Sequence, residues 1–243
     1  MSVSSPTAWE APLSRSPETH TPAVLDFDRR ERIGISEGVL CEHKTPEQIE
    51  TILQRFHERD APCLLTRLAA EKAAALSAYY RERLDYDALS RTAFAPGPMD
   101  KRTDARVAVV SGGTSDAPVC LEAARTLEFH GVPCDLFQDV GVTGLWRVME
   151  RIEDIRRYPL VIAVAGMEGA LFSVLGGLVG SVVIAVPTSV GYGVSAGGRL
   201  SLDSALSSCA PGIVAVNIDN GYGAACAAIR SLNMLDIGKL ESA

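Results

Sequence analysis

The chain has 243 residues, 47% of them hydrophobic and 22% charged, which is typical of a globular protein and excludes wholesale disorder. Its net charge is −7 and its basic residues are scattered, so we expect no nucleic-acid partner, since such proteins concentrate Lys and Arg in one patch. The combination of 21 glycines with only 6% aromatic residues indicates tight backbone turns that suit phosphate and nucleotide chemistry.

Residues 1–24 are rich in Ser, Thr and Pro and predict a flexible tail. They lack the basic start and the apolar stretch of a signal peptide. The six cysteines include no CxxC pair, so we expect neither a disulfide framework nor a zinc site. These features predict a cytoplasmic protein with no metal-binding residues of its own.

Residues 25–100 predict a small α+β domain. Thr45 as the N-cap and Pro46 at the first helical position mark the start of a short helix. Further along the chain we expect a strand at 62–66, a continuous helix at 68–84 because of its Ala, Leu and Glu content, and a Pro- and Gly-rich boundary loop at 95–104.

Residues 105–235 predict a three-layer α/β/α domain with a central parallel sheet. Apolar, β-branched segments alternate there with helical ones, which is typical of parallel strands joined by crossover helices. The apolar stretch 160–187 indicates strand–helix–strand and not a membrane span, because Glu168 and several glycines interrupt it. We expect strands at 107–111, 134–138, 160–165, 182–187 and 213–217, and helices at 117–130, 143–156, 168–179 and 222–234.

The ligand of such a sheet lies at the carboxyl ends of its strands. The first predicted strand ends in SGGTSD, Ser111 to Asp116, just before a helix that opens with Pro118. Glycine turns at a helix N-terminus offer N–H donors to a phosphate or a carboxylate. An ordinary turn with Ser115 or Asp116 as the helix N-cap explains the same pattern equally well.

A second glycine-rich segment, GYGVSAGGR from Gly191 to Arg199, follows the strand at 182–187. A structureless surface loop is the default interpretation of such a segment. The alternative is a flexible lid that carries Tyr192 and Arg199 over the ligand.

Cys209 is the best candidate for a reactive thiolate. It precedes a Pro-Gly turn among small hydroxyl residues, although no neighbouring cation is visible in the sequence. Cys120, Cys134 and Cys226 lie in apolar patterns that are typical of small buried hydrophobes. We expect Cys209 to lie near three glycine-rich loops gathered at one edge of the sheet, at 112–113, 191–198 and 221–223.

The histidines show no Ser–His–Asp arrangement and no metal-ligand spacing. His130 precedes Gly131 at a predicted helix end, where a C-cap role is expected.

Several blocks of the sequence together resemble the LarB family, the carboxylase/hydrolases of nickel-pincer-nucleotide cofactor biosynthesis. The resemblance covers roughly residues 25–235, and its most specific block is SCAPG followed by NIDNGYG, within 208–223. Other blocks that carry it are DFDRRERIG at 26–34, SGGTSD at 111–116, LEFHGVPCDLFQDVGVTGLWR at 127–147, VAGMEGAL at 164–171 and VPTSVGYG at 186–193.

The C-terminal domain also resembles PurE, the purine-pathway aminoimidazole ribonucleotide carboxylase/mutase, and this implies a PurE-like fold. That family has histidines in the loops after its second and third strands. This chain has Phe137-Gln138-Asp139 and Val164 to Glu168 in those places, so the purine activity is disfavoured.

The resemblance to LarB implies a reaction on nicotinic acid adenine dinucleotide. The pyridinium ring is carboxylated at C5, and the phosphoanhydride is cleaved to give AMP and pyridinium-3,5-biscarboxylic acid mononucleotide. Cys209 matches the family's nucleophile, which adds to C6 of the ring. Carbon dioxide or bicarbonate is then the co-substrate, no cofactor is tightly bound, Mg²⁺ is an optional aid to hydrolysis, and the implied assembly is a homo-octamer with no membrane partner.

Asp116 and Glu168, each at a predicted strand end, are alternative bases for the C5 proton. For every basic candidate, an ordinary solvated surface charge is the alternative interpretation. The candidate substrate contacts are Ser111, Gly112, Gly113, Ser115, Tyr192, Asp219 and Asn220 in the loops, and Arg29, Arg32, Lys44, Arg67 and Arg199 for the pyrophosphate or the nicotinate carboxylate.

Trp146 stands where the LarB family usually has a histidine. A paralogue that acts on another pyridinium nucleotide would show such a change near the site. The remaining alternatives are a PurE-like carboxylase/mutase with another nucleotide substrate and a non-catalytic nucleotide-binding module.

Overall fold

The computed structural model describes residues 23–95 and 106–240, with side chains up to residue 235. The tail predicted over residues 1–24 lies outside the described residues except for its last two positions. The boundary loop predicted at 95–104 lies outside them except for Ala95.

The N-terminal part is a small α+β domain, as predicted. Its four strands form a mixed sheet in the order β1-β2-β4-β3, in which β1 is parallel to β2 and the other neighbours are antiparallel. In chain order the elements are α1 (Arg29–Ile33), β1 (Gly38–Leu40), α2 (Pro46–Glu58), β2 (Cys63–Thr66), α3 (Ala70–Ala75), α4 (Ala78–Arg81), β3 (Asp85–Asp87) and β4 (Thr92–Ala95).

The predicted start of α2 is confirmed. The Thr45 hydroxyl accepts the backbone N–H of Gln48 at 3.3 Å, and the Gln48 side chain accepts the backbone N–H of Thr45 at 3.0 Å. This reciprocal pair satisfies two N–H groups that a helix start otherwise leaves unbonded.

The continuous helix predicted at 68–84 is wrong, because the chain breaks into α3 and α4. Leu76 and Ser77 are extended, with ψ of 153° at both residues. Leu76 is buried in the domain core, and the Ser77 N–H is donated to the carboxylate of Glu50 in α2. These tertiary contacts outweigh the helix propensity of the Ala-rich sequence.

The C-terminal part is a three-layer α/β/α domain with a five-stranded, all-parallel sheet, which confirms the predicted fold class. The strand order is β6-β5-β7-β8-β9. In chain order the elements are β5 (Val107–Ser111), α5 (Ala117–Phe129), β6 (Cys134–Phe137), α6 (Leu145–Ile155), β7 (Leu160–Ala165), α7 (Ala170–Leu178), β8 (Val182–Pro187), α8 (Arg199–Ser207), β9 (Ile213–Ala215) and α9 (Gly221–Leu240).

Alternation along the strands builds two hydrophobic cores, one on each face of this sheet. In β5, Val107 and Val109 face the core formed with α5 and α9, whereas Ala108 and Val110 face the core formed with α6, α7 and α8. Because both faces are covered, β5 and β7 are apolar at nearly every position. This double burial explains why these strands stand out so clearly in the sequence.

The apolar stretch 160–187 folds as β7, α7 and β8, as predicted. Within the described parts of the chain, no helix has the length and apolar character needed to cross a membrane.

The two domains meet along α5 and the start of α9. Phe94 of β4 lies 5.6 Å from Phe129 of α5 between ring centroids, and both side chains are fully buried. Arg125 of α5 places its guanidinium 4.2 Å from the Phe94 ring centroid and donates to the Thr92 hydroxyl at 2.8 Å. The Phe94–Phe129 contact and the Arg125 hydrogen bonds fix the small domain against one face of the larger one.

His130 adds a polar link to this interface. It is the C-cap residue of α5, as predicted, and its ring accepts the N–H of Ser36 on Nε2 at 3.3 Å. Nδ1 lies 2.8 Å from the carbonyl oxygen of Thr126 and therefore carries the ring proton. Burial lowers the pKa of His130 below its ordinary value of 6.5, so the neutral ring is the form that joins the domains.

We expect stability to fall as the pH drops below about 6.5, because the unfolded chain then takes up a proton that folded His130 resists. Above that pH the ring is neutral in both states and contributes no slope. The free energy of unfolding, measured by denaturant titration between pH 7.5 and about 5, should decline less in a His130→Gln variant than in the wild type. Equal slopes in the two proteins would contradict this role for His130.

Candidate functional site

Five loops meet at the carboxyl edge of the parallel sheet, where the sequence predicts the ligand. Each loop follows directly on one strand of the five-stranded sheet. They are 112–116 after β5, 138–144 after β6, 166–169 after β7, 188–198 after β8 and 216–220 after β9.

Three of these loops contain a non-glycine residue with a left-handed backbone. The φ angles are 57° at Asp139, 52° at Met167 and 54° at Asp219. Side-chain-bearing residues adopt this conformation at a cost, and such strain concentrates at functional sites. At this edge, the surrounding structure therefore holds three residues in a backbone conformation that their own side chains disfavour.

Asp116 is the buried polar centre of the edge. It is 4% exposed; its Oδ2 accepts the Gly113 N–H at 3.0 Å and its Oδ1 accepts the Thr188 hydroxyl at 2.7 Å. Burial raises the pKa of Asp116, while the hydrogen bonds from Thr188, Gly113 and Gly166 oppose that rise. The carboxylate therefore links the loops that follow β5, β7 and β8.

The backbone N–H groups of the SGGTSD loop were expected to be free to bind a ligand, but two of them are already hydrogen-bonded within the chain. The Gly112 N–H is donated to the carbonyl of Val164 at 2.9 Å, and the Gly113 N–H to Asp116, so both amides have acceptors within the chain. Ser111 is fully buried, and its hydroxyl accepts the Asp139 N–H at 3.4 Å. Of the predicted contacts in this loop, Ser115 is the exposed one.

The segment predicted as either a structureless loop or a flexible lid contains regular turns, so it is not structureless. Residues 193–198 form 3-10 turns that are interrupted at Ala196 and Gly197, and Arg199 begins α8. Gly198 has a φ of 78°, and a Cβ at that position would lie 2.6 Å from the carbonyl oxygen of Thr188. Gly198 thus permits a close approach of this segment to Thr188, the residue that follows β8.

Tyr192 and Arg199 both remain at the surface. Tyr192 is 78% exposed. The Arg199 guanidinium lies 2.9 Å from the carboxylate of Asp203, one turn further along α8. A substrate would therefore have to compete with Asp203 for the Arg199 side chain.

The five predicted cations have different surroundings. Arg29 and Arg32 pair with Asp26 at 3.1 Å and 2.6 Å, and the hydrogen bonds from Arg32 and Arg29 hold the pKa of Asp26 at about 2. Lys44 is half-buried just before α2. Arg67 reaches from the N-terminal domain to the carboxyl edge, where it donates to the Asp219 carbonyl at 2.7 Å while pairing with Glu42 at 3.0 Å.

Asp219 and Asn220 have structural partners of their own. The Asp219 carboxylate accepts the Ser189 N–H at 2.8 Å and thus joins the loops after β8 and β9. The Asn220 side chain accepts the N–H of Gly223 in the first turn of α9 at 2.8 Å. Glu168, by contrast, is exposed in the loop between β7 and α7.

Cys209 is exposed, but it does not lie among these loops. It belongs to the connection between α8 and β9, which enters the sheet from its amino-terminal side. The adjacent Ser208 hydroxyl lies 2.8 Å from that of Ser173 in α7, and Ala210 packs against Gly176 of the same helix. The expectation that Cys209 sits beside the glycine-rich loops is therefore wrong for a single copy of the chain.

The other five cysteines are buried or half-buried. Burial raises the pKa of the Cys41, Cys120 and Cys134 thiols to about 12, that of Cys226 to about 11, and that of Cys63 above its ordinary value as well. The prediction that Cys120, Cys134 and Cys226 are packing residues is consistent with these surroundings.

Two polar residues at this edge were not predicted from the sequence. Thr188 completes the Asp116 network, and a threonine directly after the β8 strand is its only sequence signal. Glu122 is 5% exposed in α5, accepts the Tyr222 N–H at the start of α9 at 3.2 Å, and has a pKa raised by burial. A lone glutamate on the apolar face of a predicted helix was the available signal for it.

A cavity of about 440 Å³ lies elsewhere, between the C-terminal half of α5, the start of β6 and the β3–β4 turn. Leu121, Val132 and Leu136 supply much of its apolar lining, and Arg125 and Asp87 contribute charge. It opens near the amino end of β6, at the edge of the sheet opposite to Asp116, and is therefore separate from the candidate site.

Comparison with known proteins matches both halves of the chain. A family model described as the LarB/PurE-like N-terminal domain matches residues 18–96, and the AIR carboxylase model matches residues 106–241. An uncharacterized protein of Methanocaldococcus jannaschii is 35% identical over 209 residues, which cover 82% of this chain and 80% of that protein.

Cys209 should react first with iodoacetamide near neutral pH, because it is the exposed cysteine whereas burial raises the pKa of the other five. Peptide mass spectrometry should find rapid labelling at one position per chain. A Cys209→Ala variant should lose the fast phase, and a Cys134→Ala variant should keep it. Fast labelling that survives in Cys209→Ala would show that another thiol is the reactive one.

Proposed function

We propose a reaction for this chain from an established premise: the chain belongs to the LarB family of PurE-like carboxylases. The proposed substrate is nicotinic acid adenine dinucleotide, which is carboxylated at C5 of its pyridinium ring. The phosphoanhydride is then hydrolysed to AMP and pyridinium-3,5-biscarboxylic acid mononucleotide, for nickel-pincer-nucleotide biosynthesis. The observation that carries the proposal is the exposed Cys209 in a chain whose other thiols are all withdrawn into the fold.

Covalent catalysis answers the chemical difficulty of this carboxylation. A pyridinium ring is electron-poor, so its C5 does not attack carbon dioxide. When the Cys209 thiolate adds to C6, the ring loses aromaticity and becomes an enamine whose C5 is nucleophilic. C5 then bonds to the carbon of carbon dioxide, the C5 proton leaves to a base, and the C6–S bond breaks to restore the aromatic ring and the thiolate.

Glu168 takes the C5 proton in this scheme. It is exposed at the carboxyl edge, whereas Asp116 is buried with both carboxylate oxygens accepting hydrogen bonds from the chain. A base must reach the proton it removes, and Asp116 lacks that access. Asp116 instead acts as a positioning residue, because it holds the loops after β5, β7 and β8 in register.

Hydrolysis needs donors for the diphosphate as a water attacks phosphorus and the bridging P–O bond to AMP breaks. Arg67 contacts the loop after β9 through the Asp219 carbonyl, and the exposed Ser115 lies in the loop after β5. A guanidinium offers several N–H groups in a fixed fork, so Arg67 can keep its contact to Asp219 and still donate to a phosphate.

Two copies of the chain complete one site in this proposal. In a single copy, Cys209 precedes β9 at the amino edge of the sheet. The candidate loops follow their strands and lie at the opposite, carboxyl edge. The surface around the Cys209 connection also exposes large apolar side chains, with Leu206 68%, Val214 49% and Val182 46% exposed. Such a surface is suited to a second copy, whose carboxyl edge would then face Cys209.

The reaction is tested by incubation with nicotinic acid adenine dinucleotide and bicarbonate, with and without Mg²⁺, followed by mass spectrometry. We expect AMP and a mononucleotide heavier by one carboxylate. Cys209→Ala should lower the rate by about a thousandfold or more because no adduct forms. Cys134→Ala is the matched control and should stay within about twofold of the wild type.

Glu168→Gln should still form the C6 adduct, visible as added mass on Cys209, but should not release the product. If AMP is released but no carboxylated product forms, the protein is a hydrolase of the dinucleotide and the carboxylation step of the proposal is rejected. Tight binding with no turnover would favour the non-catalytic nucleotide-binding module, and full activity in Cys209→Ala would exclude the covalent mechanism.

The shared site is tested by mixing inactive variants. Cys209→Ala and Glu168→Gln are each expected to be inactive alone. After co-refolding, about a quarter of the sites in a random oligomer combine an intact Cys209 with an intact Glu168 from another copy, so activity should recover to about that fraction. No recovery in mixtures that light scattering shows to be mixed oligomers would mean that each copy carries a complete site.

A further inference from the structure

Trp146 is a large aromatic side chain left mostly in water at the border of the candidate site. It is 60% exposed in the first turn of α6, which follows the short 3-10 helix Val142–Gly144. It is the one tryptophan among the described residues, because the only other tryptophan is Trp9.

The segment that carries Trp146 is tied to the SGGTSD loop by backbone contacts. The Val140 N–H is donated to the Ser111 carbonyl at 2.9 Å, and the Asp139 N–H to the Ser111 hydroxyl at 3.4 Å. Gly141 lies so close to this loop that a Cβ there would be 2.7 Å from the carbonyl oxygen of Gly112. The chain that leads into α6 and Trp146 is thus held beside the loop that follows β5.

The charges around the indole discriminate between possible ring partners. The Arg147 guanidinium lies 5.6 Å from the centroid of the Trp146 ring and 3.2 Å from the carboxylate of Asp139. The guanidinium therefore lies over one of the two electron-rich faces of the indole. A neutral purine ring stacked on Trp146 meets no charge repulsion from this guanidinium, whereas the cationic ring of a pyridinium does.

We propose that Trp146 is a specificity-determining residue that stacks on the adenine ring of the AMP half of the dinucleotide. The inference rests on the proposed function for the identity of the substrate. It assigns the two aromatic rings of that substrate to different places, the pyridinium to Cys209 and the adenine to Trp146. Stacking of a base on an aromatic side chain typically changes affinity by about tenfold or more.

The test uses the intrinsic fluorescence of a Trp9→Phe variant of the full chain, in which Trp146 is the only tryptophan. Titration with AMP should quench the emission in a saturable way, whereas nicotinate mononucleotide should not. In the Trp9-containing chain, calorimetry should show that Trp146→Ala weakens AMP binding by about tenfold and that Trp146→Phe largely retains it. Met149→Ala is the control, since Met149 is exposed on the same helix and should not matter.

Three results would overturn the inference: AMP binding without quenching, AMP affinity unchanged in Trp146→Ala, or a changed oligomer mass for Trp146→Ala by light scattering, which would make Trp146 a subunit contact. The two proposals fail separately, because AMP binding requires no turnover. Carboxylation without AMP stacking would reject only the role of Trp146. AMP stacking on Trp146 without any carboxylation would reject only the reaction.

Discussion

The candidate site depends on one buried carboxylate. Asp116 receives the N–H of Gly113, the hydroxyl of Thr188 and the N–H of Gly166, and these donors come from the loops after three adjacent strands. A buried charge without such partners costs several kcal/mol, so the three loops and the carboxylate stabilise one another or fail together. The backbone strain at Met167, in the same region, persists because these contacts over-determine the loop.

The small N-terminal domain takes part in the same arrangement. Arg67 reaches from the end of β2 to the carbonyl of Asp219, and the Asp219 carboxylate in turn holds Ser189 in the loop after β8. The aromatic contact between Phe94 and Phe129 packs β4 of the small sheet against α5 of the larger domain. A disturbance at the domain interface is therefore transmitted to the carboxyl edge through a short chain of direct contacts.

The central strands β5, β7 and β8 of the parallel domain could be predicted from the sequence, because they are buried on both faces and their sequences are continuous apolar runs. Strands β1, β3 and β4, each of three or four residues, were not predicted, since so few residues show no periodicity. Helix α8 was missed because the glycine-rich segment before it continues into a serine-containing sequence, a pattern typical of loops. The 68–84 helix was overpredicted because the burial of Leu76 in the domain core, a tertiary contact, interrupts it.

The sequence predicted candidate side chains for the site, but it could not predict how they are arranged around the sheet. The sequence indicated Asp116 and Glu168 as acids at predicted strand ends, and Cys209 as a thiol before a Pro-Gly turn among small hydroxyl residues. Whether a loop leaves a strand or enters it decides the edge of the sheet to which it belongs, and this separates Cys209 from the other two. The internal use of the Gly112 and Gly113 amides could not be predicted either, because it depends on the pairing of β5 with β7 and on the side chain of Asp116.

The left-handed backbone at Met167 affects two quantities in opposite directions, the free energy of unfolding and the conformational order of the loop that binds the substrate. A glycine at this position would adopt a φ of 52° without the steric cost that a side chain carries, and would relieve strain in the folded chain. The same glycine would let the loop that presents Glu168 sample many more conformations, and the freedom lost on binding would then weigh against the substrate. A protein selected for thermal resistance alone and one selected for turnover would therefore be expected to differ at this residue.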